Sequence, residues 1–240
     1  MNSLAERAPN EAQGWTATGA SRPAAATPAP VKPAKPARPK VAKVARSFRK
    51  RTFDIVMSLG AILFFLPLLI SVAMLVRSET PGPALFKQRR TGLNGRIFTV
   101  YKFRTMTVTE DGAVVRQATR EDARVTAWGG MLRKYSIDEL PQLFNVLKGD
   151  MSLIGPRPHA VAHDEAWGES VPGYNDRFRA KPGLTGYAAV CGFRGEVRDH
   201  QAIVDRVASD NEYIDTWSFG LDIKIVLKTI PLVFADERAY

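Results

Sequence analysis

Ile55-Val-Met-Ser-Leu-Gly-Ala-Ile-Leu-Phe-Phe-Leu-Pro67-Leu-Leu-Ile-Ser-Val-Ala-Met-Leu-Val76 is a run of 22 residues without a formal charge. As a helix it would extend about 33 Å, enough to cross a bilayer core of roughly 30 Å. Two features argue against a plain crossing. Pro67 stands mid-run, where it removes the hydrogen bond to Leu63 and crowds the preceding turn. Both flanks are basic, with Arg46, Arg49, Lys50 and Arg51 before the run and Arg77, Lys87, Arg89 and Arg90 after it. A spanning helix puts one of these clusters on the disfavoured side, whereas a helix bent at Pro67 returns both to the cytoplasm. Proline is also tolerated in a kinked span, so the residues alone leave crossing and returning equally open. A buried helix of a soluble protein is a third reading. Asp54, at the edge of the run, is expected to pair with Arg51 or Arg77 in a structural role.

Residues 1–45, ahead of this segment, are rich in Ala and Pro, with Pro at 23, 28, 30, 33, 36 and 39 and hardly any large apolar side chain. Such a stretch cannot repay its ordering entropy, and a disordered tail is expected. No apolar core begins near Met1, so the start is not a signal peptide. The formal charge of +10 belongs to this end of the chain. Residues 1–52 carry eleven Lys/Arg and two acids, whereas the remaining 188 residues carry 23 basic and 22 acidic groups. The body is nearly neutral, and nothing resembles a zinc finger or an aromatic-basic RNA-reading strand, which argues against a nucleic-acid partner. The one cysteine, Cys191, excludes an intrachain disulfide and is expected as a small buried or semi-buried filler.

Downstream of the apolar run, Ala84–Gln88 and Ile97–Phe103 read as short strands around the turn Thr91-Gly-Leu-Asn-Gly95. Residues 107–123 read as a polar loop over the active side. Helices are expected at 124–134, 138–148, 199–216 and 218–230. In the last of these, Phe219, Ile223, Val226, Leu227 and Ile230 share one face, with Lys224 and Lys228 opposite or flanking, a pattern that suits the membrane interface or the domain core equally.

The chemistry concentrates in Arg133-Lys-Tyr-Ser136-Ile-Asp138-Glu139-Leu-Pro141 and Lys148-Gly-Asp-Met-Ser-Leu-Ile-Gly155-Pro-Arg157-Pro158. Ser136 and Glu139 have capping-box spacing, and Asp138 is the other candidate cap. Either way two adjacent carboxylates sit at a helix N-terminus, which also favours an anionic ligand. Adjacent like charges raise one pKa unless a cation separates them. Mg²⁺, which takes one or two carboxylates plus substrate phosphates, suits the pair. A carboxylate can also attack phosphorus to form an acyl phosphate. Arg133 and Arg157 can each make a forked contact to phosphate oxygens, and the prolines around Arg157 stiffen its position. Lys181-Pro-Gly-Leu-Thr-Gly186 is a turn-rich loop with one cation suited to a phosphate. His159 and His163 have helical metal spacing, but Pro158 precedes them and no zincin glutamate accompanies them; His159 is weighed as a substrate or supporting contact.

The segment from Arg133 to Pro158, with its Asp-Glu-Leu-Pro-Gln-Leu-x-Asn145 core, resembles the core motif of the bacterial sugar transferases, monotopic polyprenyl-phosphate hexose-1-phosphate transferases. Three further blocks share the resemblance: Phe86-Lys-Gln-Arg-Arg-x-Gly with Phe98-x-x-Tyr-Lys-Phe-Arg-Thr-Met106, Lys181 to Gly186, and Trp217-Ser-x-x-Leu-Asp222-x-Lys-Ile. Together they cover roughly residues 48–240, and the short exopolysaccharide-initiating type is the better match. The resemblance implies an α/β, mainly α, membrane-associated domain with a re-entrant helix broken at Pro67, a small β-hairpin and amphipathic interface helices. It divides the chain into a tail (1–45), a membrane segment (46–78) and a catalytic domain (79–240) on the cytoplasmic face of the bacterial inner membrane.

The same resemblance implies Asp138 as nucleophile on the β-phosphorus of a UDP-sugar, releasing UMP, with undecaprenyl phosphate as acceptor. Glu139 is implied as the Mg²⁺ ligand, and Arg133, Arg157 and Lys181 as phosphate contacts. Anionic lipid is an expected partner of the basic tail, and a homodimer is compatible. The Cys191-Gly-Phe-Arg-Gly-Glu196 block and the final Ala239-Tyr240 resemble the glucose-transferring branch, although that branch often has Asn in place of Cys191; galactose is the alternative. Direct transfer without a covalent intermediate, and a non-enzymatic membrane scaffold, are the competing readings.

Overall fold

In the computed structural model, which describes residues 40–107, 119, 122–195, 197 and 199–235, the apolar run is the middle of one long helix. The elements follow in the order α1 (Lys43–Arg46), α2 (Phe48–Glu79), β1 (Leu85–Thr91), β2 (Ile97–Phe103), α3 (Ala127–Lys134) and α4 (Gln142–Lys148). Then come β3 (Ser152–Ile154), α5 (Val161–Ser170), β4 (Gly183–Thr185), α6 (Tyr187–Val190), α7 (His200–Thr216) and α8 (Phe219–Ala235). The domain takes up the chain earlier than the expected boundary at 45, for Ala42 donates its N–H to the Arg179 carbonyl (3.0 Å) and Val44 is buried. The expected tail up to residue 39, and most of the expected loop at 107–123, lie outside the described residues.

Helix α2 continues through Pro67. Its buried residues are Lys50, Asp54, Ser58, Ile62, Leu69, Val72 and Val76, spaced by three, four or seven, which places them along one face. The rest is bare. Leu63, Phe64 and Met74 are each more than half exposed, and only 22% of the most apolar 18-residue window is buried. A buried helix of a soluble protein would be covered all round, so that reading fails. By length and composition α2 is able to cross a membrane.

Both ends of α2 are docked on the domain. At the first end, Lys50 Nζ donates to Asp222 Oδ2 (3.0 Å) and Leu153 donates its N–H to Asp54 Oδ1 (3.1 Å). Arg51 donates to the Val146 and Leu147 carbonyls (2.6 and 2.8 Å), closing the C-terminus of α4. Asp54 therefore pairs with Lys50, one turn back at 3.8 Å, and not with Arg51 or Arg77 as expected. At the other end, Leu69, Val72 and Val76 cluster with Phe103 and Leu132. Arg104 donates to the Thr80 (2.7 Å) and Pro81 carbonyls just beyond that end.

Strands β1 and β2 pair antiparallel from Leu85↔Phe103 to Thr91↔Ile97, so β1 runs three residues beyond its expected end. The open edge of β2 is covered by Asn145, which is fully buried on α4. Its Oδ1 accepts from the Tyr101 N–H (3.0 Å) and its Nδ2 donates to the Thr99 carbonyl (2.7 Å), the two groups a neighbouring strand would engage. Strands β3 and β4 form a second, parallel pair. There the backbones nearly touch: a Cβ on Gly183 would fall 2.2 Å from the Gly155 nitrogen. Only glycine fits that crossing, which explains two of the glycines in the quoted motifs.

Helix α7 starts as expected, with Asp199 Oδ1 accepting from the Ala202 N–H (2.7 Å). In α8 the expected apolar face is not the buried one: Phe219, Leu227 and Ile230 are exposed and Ile223 and Val226 half-buried, whereas Asp222 and Ile225 are buried. Asp222 is the hub of this region, accepting from Lys50, Tyr213 Oη (2.7 Å) and Trp217 Nε1 (3.0 Å). Asp222→Ala strands a buried ammonium and two further donors, and should cost about 3–5 kcal/mol. Denaturant unfolding in neutral detergent should show this loss, with Asp222→Asn, which keeps an acceptor for Tyr213, falling between.

Candidate active site

Asp138 and Glu139 lie in a 3₁₀ turn, Ile137–Glu139, between α3 and α4. Neither expected cap forms. Ser136 adopts a left-handed backbone (φ 54°, ψ 24°) and its Oγ accepts from Arg194 Nη2 (2.8 Å). Helix α4 begins only at Gln142, directly after Pro141, and no side chain caps it. The carboxylates thus precede the helix by a turn, held by Ile137 and Leu140 packing on the Leu69–Val76 cluster.

The two carboxylates are treated oppositely. Glu139 Oε1 accepts from Lys102 Nζ (2.7 Å) and Arg157 Nη2 (2.7 Å), and Arg157 Nη1 lies 3.4 Å from Oε2. Burial would push Glu139 up, but Arg157 and Lys102 outweigh it and hold its carboxyl well below the usual range. Asp138 is more deeply buried and has no such forked grip. Burial, aided by the neighbouring Glu139, pushes it up to about 6 against Lys102, Arg133 and Arg157. One acid is locked as an anion, and the other is kept basic.

Arg133, in the last turn of α3, contributes charge to Asp138 and contacts Met106 Sδ at 3.6 Å. Arg157 is brought in by the loop after β3, which rests on the β3–β4 crossing. Lys181 is not part of this group. Its ammonium lies by Gly149, Arg51 and Asp54. His159 is buried apart from the pair, with its Nδ1 2.6 Å from Tyr174 Oη and 3.1 Å from Arg177 Nη1. Burial, then Arg177, pulls it well below the ordinary histidine range, so it is neutral. His163 stacks near Trp167, and no cluster of three metal-ligating side chains occurs among the described residues. Cys191 is exposed rather than a buried filler.

Lys102 and Asn145 were given no role from sequence. Lys102 reaches Glu139 because Asn145 fixes β2 against α4, and both residues stand inside the quoted motifs. A lysine within an otherwise strand-like block, Phe98-x-x-Tyr-Lys-Phe, was the available signal. For a divalent cation the donors at hand are the carboxylates of Asp138 and Glu139, hard oxygens of the kind Mg²⁺ takes, with those of Glu139 engaged here by Lys102 and Arg157.

A two-carboxylate, three-cation centre beside a long apolar helix defines a membrane-linked phosphate-handling domain. The chain belongs to the bacterial sugar transferase family, whose model matches residues 45–236. It is 50% identical over 192 residues to the UDP-glucose:undecaprenyl-phosphate glucose-1-phosphate transferase of Caulobacter vibrioides, covering 80% of this chain and 72% of that protein. It is 47% identical to the Escherichia coli protein of the same name, covering 80% of this chain but 41% of that one. It is 43% identical to the exopolysaccharide production protein PSS of Rhizobium leguminosarum, over 75% of this chain and 92% of that protein.

Because the folded pKa of Asp138 lies above its unfolded value, its ionised form opposes folding at neutral pH and the protonated form does not. Asp138→Asn should therefore unfold at a higher temperature than the parent at pH 7.5, by the equivalent of about 1–3 kcal/mol. The gain should fade as pH falls from about 6 to about 4, below which Asp138 becomes protonated in both states. Thermal scans of both proteins across that range test it.

Proposed function

We propose that this protein transfers glucose-1-phosphate from UDP-glucose to undecaprenyl phosphate at the cytoplasmic face of the bacterial inner membrane, the first membrane step of exopolysaccharide synthesis. The observation that carries the reading is the opposite treatment of Asp138 and Glu139, since a pair of carboxylates driven apart separates two roles. An Asp138 oxygen attacks the β-phosphorus of the donor. The bond from that phosphorus to the bridging oxygen breaks, UMP departs with the electron pair, and the sugar phosphate stays on Asp138 as an acyl phosphate. A phosphate oxygen of the acceptor lipid then attacks the same phosphorus, forming undecaprenyl-diphosphate-glucose and returning Asp138 as a carboxylate.

An anionic nucleophile approaches a diphosphate only where positive charge offsets the repulsion. Arg133, Arg157 and Lys102 stand around the pair to supply it. Mg²⁺ bound through Glu139 and the substrate phosphates would add Lewis-acid charge to the departing UMP. With a pKa of about 6, Asp138 is ionised at cytoplasmic pH yet more basic than an ordinary aspartate, which suits a nucleophile. Glucose is favoured by the names of the Caulobacter and Escherichia relatives.

A re-entrant membrane course is the reading that the docking of α2 supports. Its first end reaches Val146 and Leu153, and its other end joins the cluster containing Ile137 and Leu140. These partners lie within a few turns of one another. A straight crossing would carry the two ends to opposite faces, whereas a helix bent where Pro67 removes a hydrogen bond brings both back to one. The exposed Leu227 and Ile230 of α8 and Trp128 and Met131 of α3 are suited to the interface.

Incubation with Mg²⁺ and UDP-glucose labelled at the β-phosphorus, without lipid, should label the parent and leave Asp138→Asn unlabelled. Label from UDP-galactose but not UDP-glucose would move the sugar assignment. Absence of label from both, with UMP appearing once undecaprenyl phosphate is added, would establish direct transfer. For the membrane course, single cysteines replacing Arg46 or Ser78 in a Cys191→Ser background should both react with an impermeant maleimide from the cytoplasmic side; opposite-side labelling would mean a crossing.

A further inference from the structure

Lys181 is the one sequence-derived phosphate contact that stands apart from the carboxylate pair, and its surroundings have their own logic. Its ammonium is half-buried, and among the described residues no hydrogen bond or ion pair reaches it. The nearest charges are Arg51, Asp54 and Asp150. Both carboxylates are engaged elsewhere: Asp54 faces Lys50 (3.8 Å) and accepts from Leu153, and Asp150 lies 3.4 Å from Lys148. Arg51 spends one N–H of each terminal nitrogen on carbonyls, not on an acid, so its charge is uncompensated and further N–H groups remain.

Two like charges therefore share one space. That space is floored by Gly149 (φ 90°), where a Cβ would stand 3.4 Å from Arg51 Nη2 and 3.7 Å from Lys181 Nζ. Beside Gly149, Arg51 and Lys181 line a small pocket together with Ser47, Ser152, the paired Lys50 and Asp54, and the apolar Val44 and Ala45. Burial, then Arg51, pulls the Lys181 ammonium below its ordinary range, the signature of a cation whose partner is missing.

Exposed apolar side chains follow directly on the pocket's Ser47. Phe48, next to Ser47, is 82% exposed, and Val56 and Met57 follow it bare on α2. Lys43, Arg46 and Arg49 are exposed around the same helix base. We propose that Arg51 and Lys181, over the bare backbone of Gly149, form a cradle for a single phosphate group presented at headgroup depth, distinct from the Asp138–Glu139 centre. A tetrahedral, multiply accepting anion suits a guanidinium edge and an ammonium that converge with neither of them ion-paired to an acid. The chemistry is shared by an anionic phospholipid headgroup and by free phosphate, and the exposed Phe48 with the basic Lys43, Arg46 and Arg49 beside it favours the lipid.

The test uses the full chain in neutral detergent and follows thermal unfolding against three additives: short-chain phosphatidylglycerol, the matching diacylglycerol without phosphate, and inorganic phosphate. Phosphatidylglycerol should raise the midpoint saturably and diacylglycerol should not. Lys181→Gln should raise the half-saturating concentration about five-fold, in line with about 1 kcal/mol for one cation at a lipid surface. Lys181→Arg should retain the response, and so should Asp138→Asn, which lies outside the cradle. If inorganic phosphate reproduces the shift, the phosphate alone is the ligand; if only the lipid does, the headgroup at the surface is. Equal responses of the parent and Lys181→Gln to phosphatidylglycerol would overturn the proposal. So would a Lys181→Gln variant that keeps that response but loses stabilisation by UDP-glucose, since Lys181 would then belong to the donor site.

Discussion

The buried ion pair between Lys50 and Asp222 is the constraint on which the remaining geometry depends. A charge pair withdrawn from water is sustained only when its remaining hydrogen-bonding capacity is met. Asp222 meets this condition by also accepting from Tyr213 and Trp217. The pair fixes the base of α2 against α7 and α8. Arg51, the next residue, is then placed to close the end of α4. Helix α4 carries Asn145, which clamps β2, and β2 carries Lys102 to Glu139. The position of the apolar helix is thus transmitted by direct contacts to the charged centre.

At that centre burial and pairing act in opposite senses on neighbouring residues. A pair of equally solvated acids would both be weak, low-pKa nucleophiles. A pair equally buried without cations would be partly protonated. Gripping Glu139 from two sides lets Asp138 be desolvated while the net field stays positive, because Lys102, Arg133 and Arg157 together exceed the two acids by one charge. Burial of Asp138 also keeps water from the atom that is proposed to carry a phosphosugar, a mixed anhydride that water would otherwise consume.

Much of this was legible from residues alone. The length and polarity of Ile55–Val76, the hairpin around Asn94 and Gly95, and the helix expected at 199–216 are local signals, and each appears at or near its expected place. The Asp138–Glu139 pair and Arg157 were legible because their chemistry is unusual at that spacing. What escaped was long-range. Ser136 has the spacing of a capping box, but the left-handed turn at that residue and the bond from Arg194, 58 positions away, redirect its hydroxyl. Lys181 sits in a plausible phosphate loop, yet the Gly155–Gly183 crossing turns its side chain towards Gly149. Strands β3 and β4, three residues each, are too short to carry a period, and only their pairing defines them.

The loop bearing Arg157 shows why such a site needs a buried polar support and not merely stiff prolines. Prolines 156 and 158 restrict the backbone of the loop, but they offer no donors to hold it in place. Arg177 donates to the Arg157 carbonyl, to Asp210 Oδ2 (2.9 Å) and towards His159, while its guanidinium stacks over Tyr174 at 5.0 Å. Arg90 donates to the Pro158 carbonyl (3.1 Å). Tyr174 in turn donates to Asp164 (2.6 Å). A neutral His159 belongs in this network, since a third buried cation beside Arg177 and Arg90 would repel both. The guanidinium of Arg157 remains nearly half exposed and able to meet a ligand, because its own backbone, at the far end of the side chain, is anchored by the buried Arg177 and the half-buried Arg90.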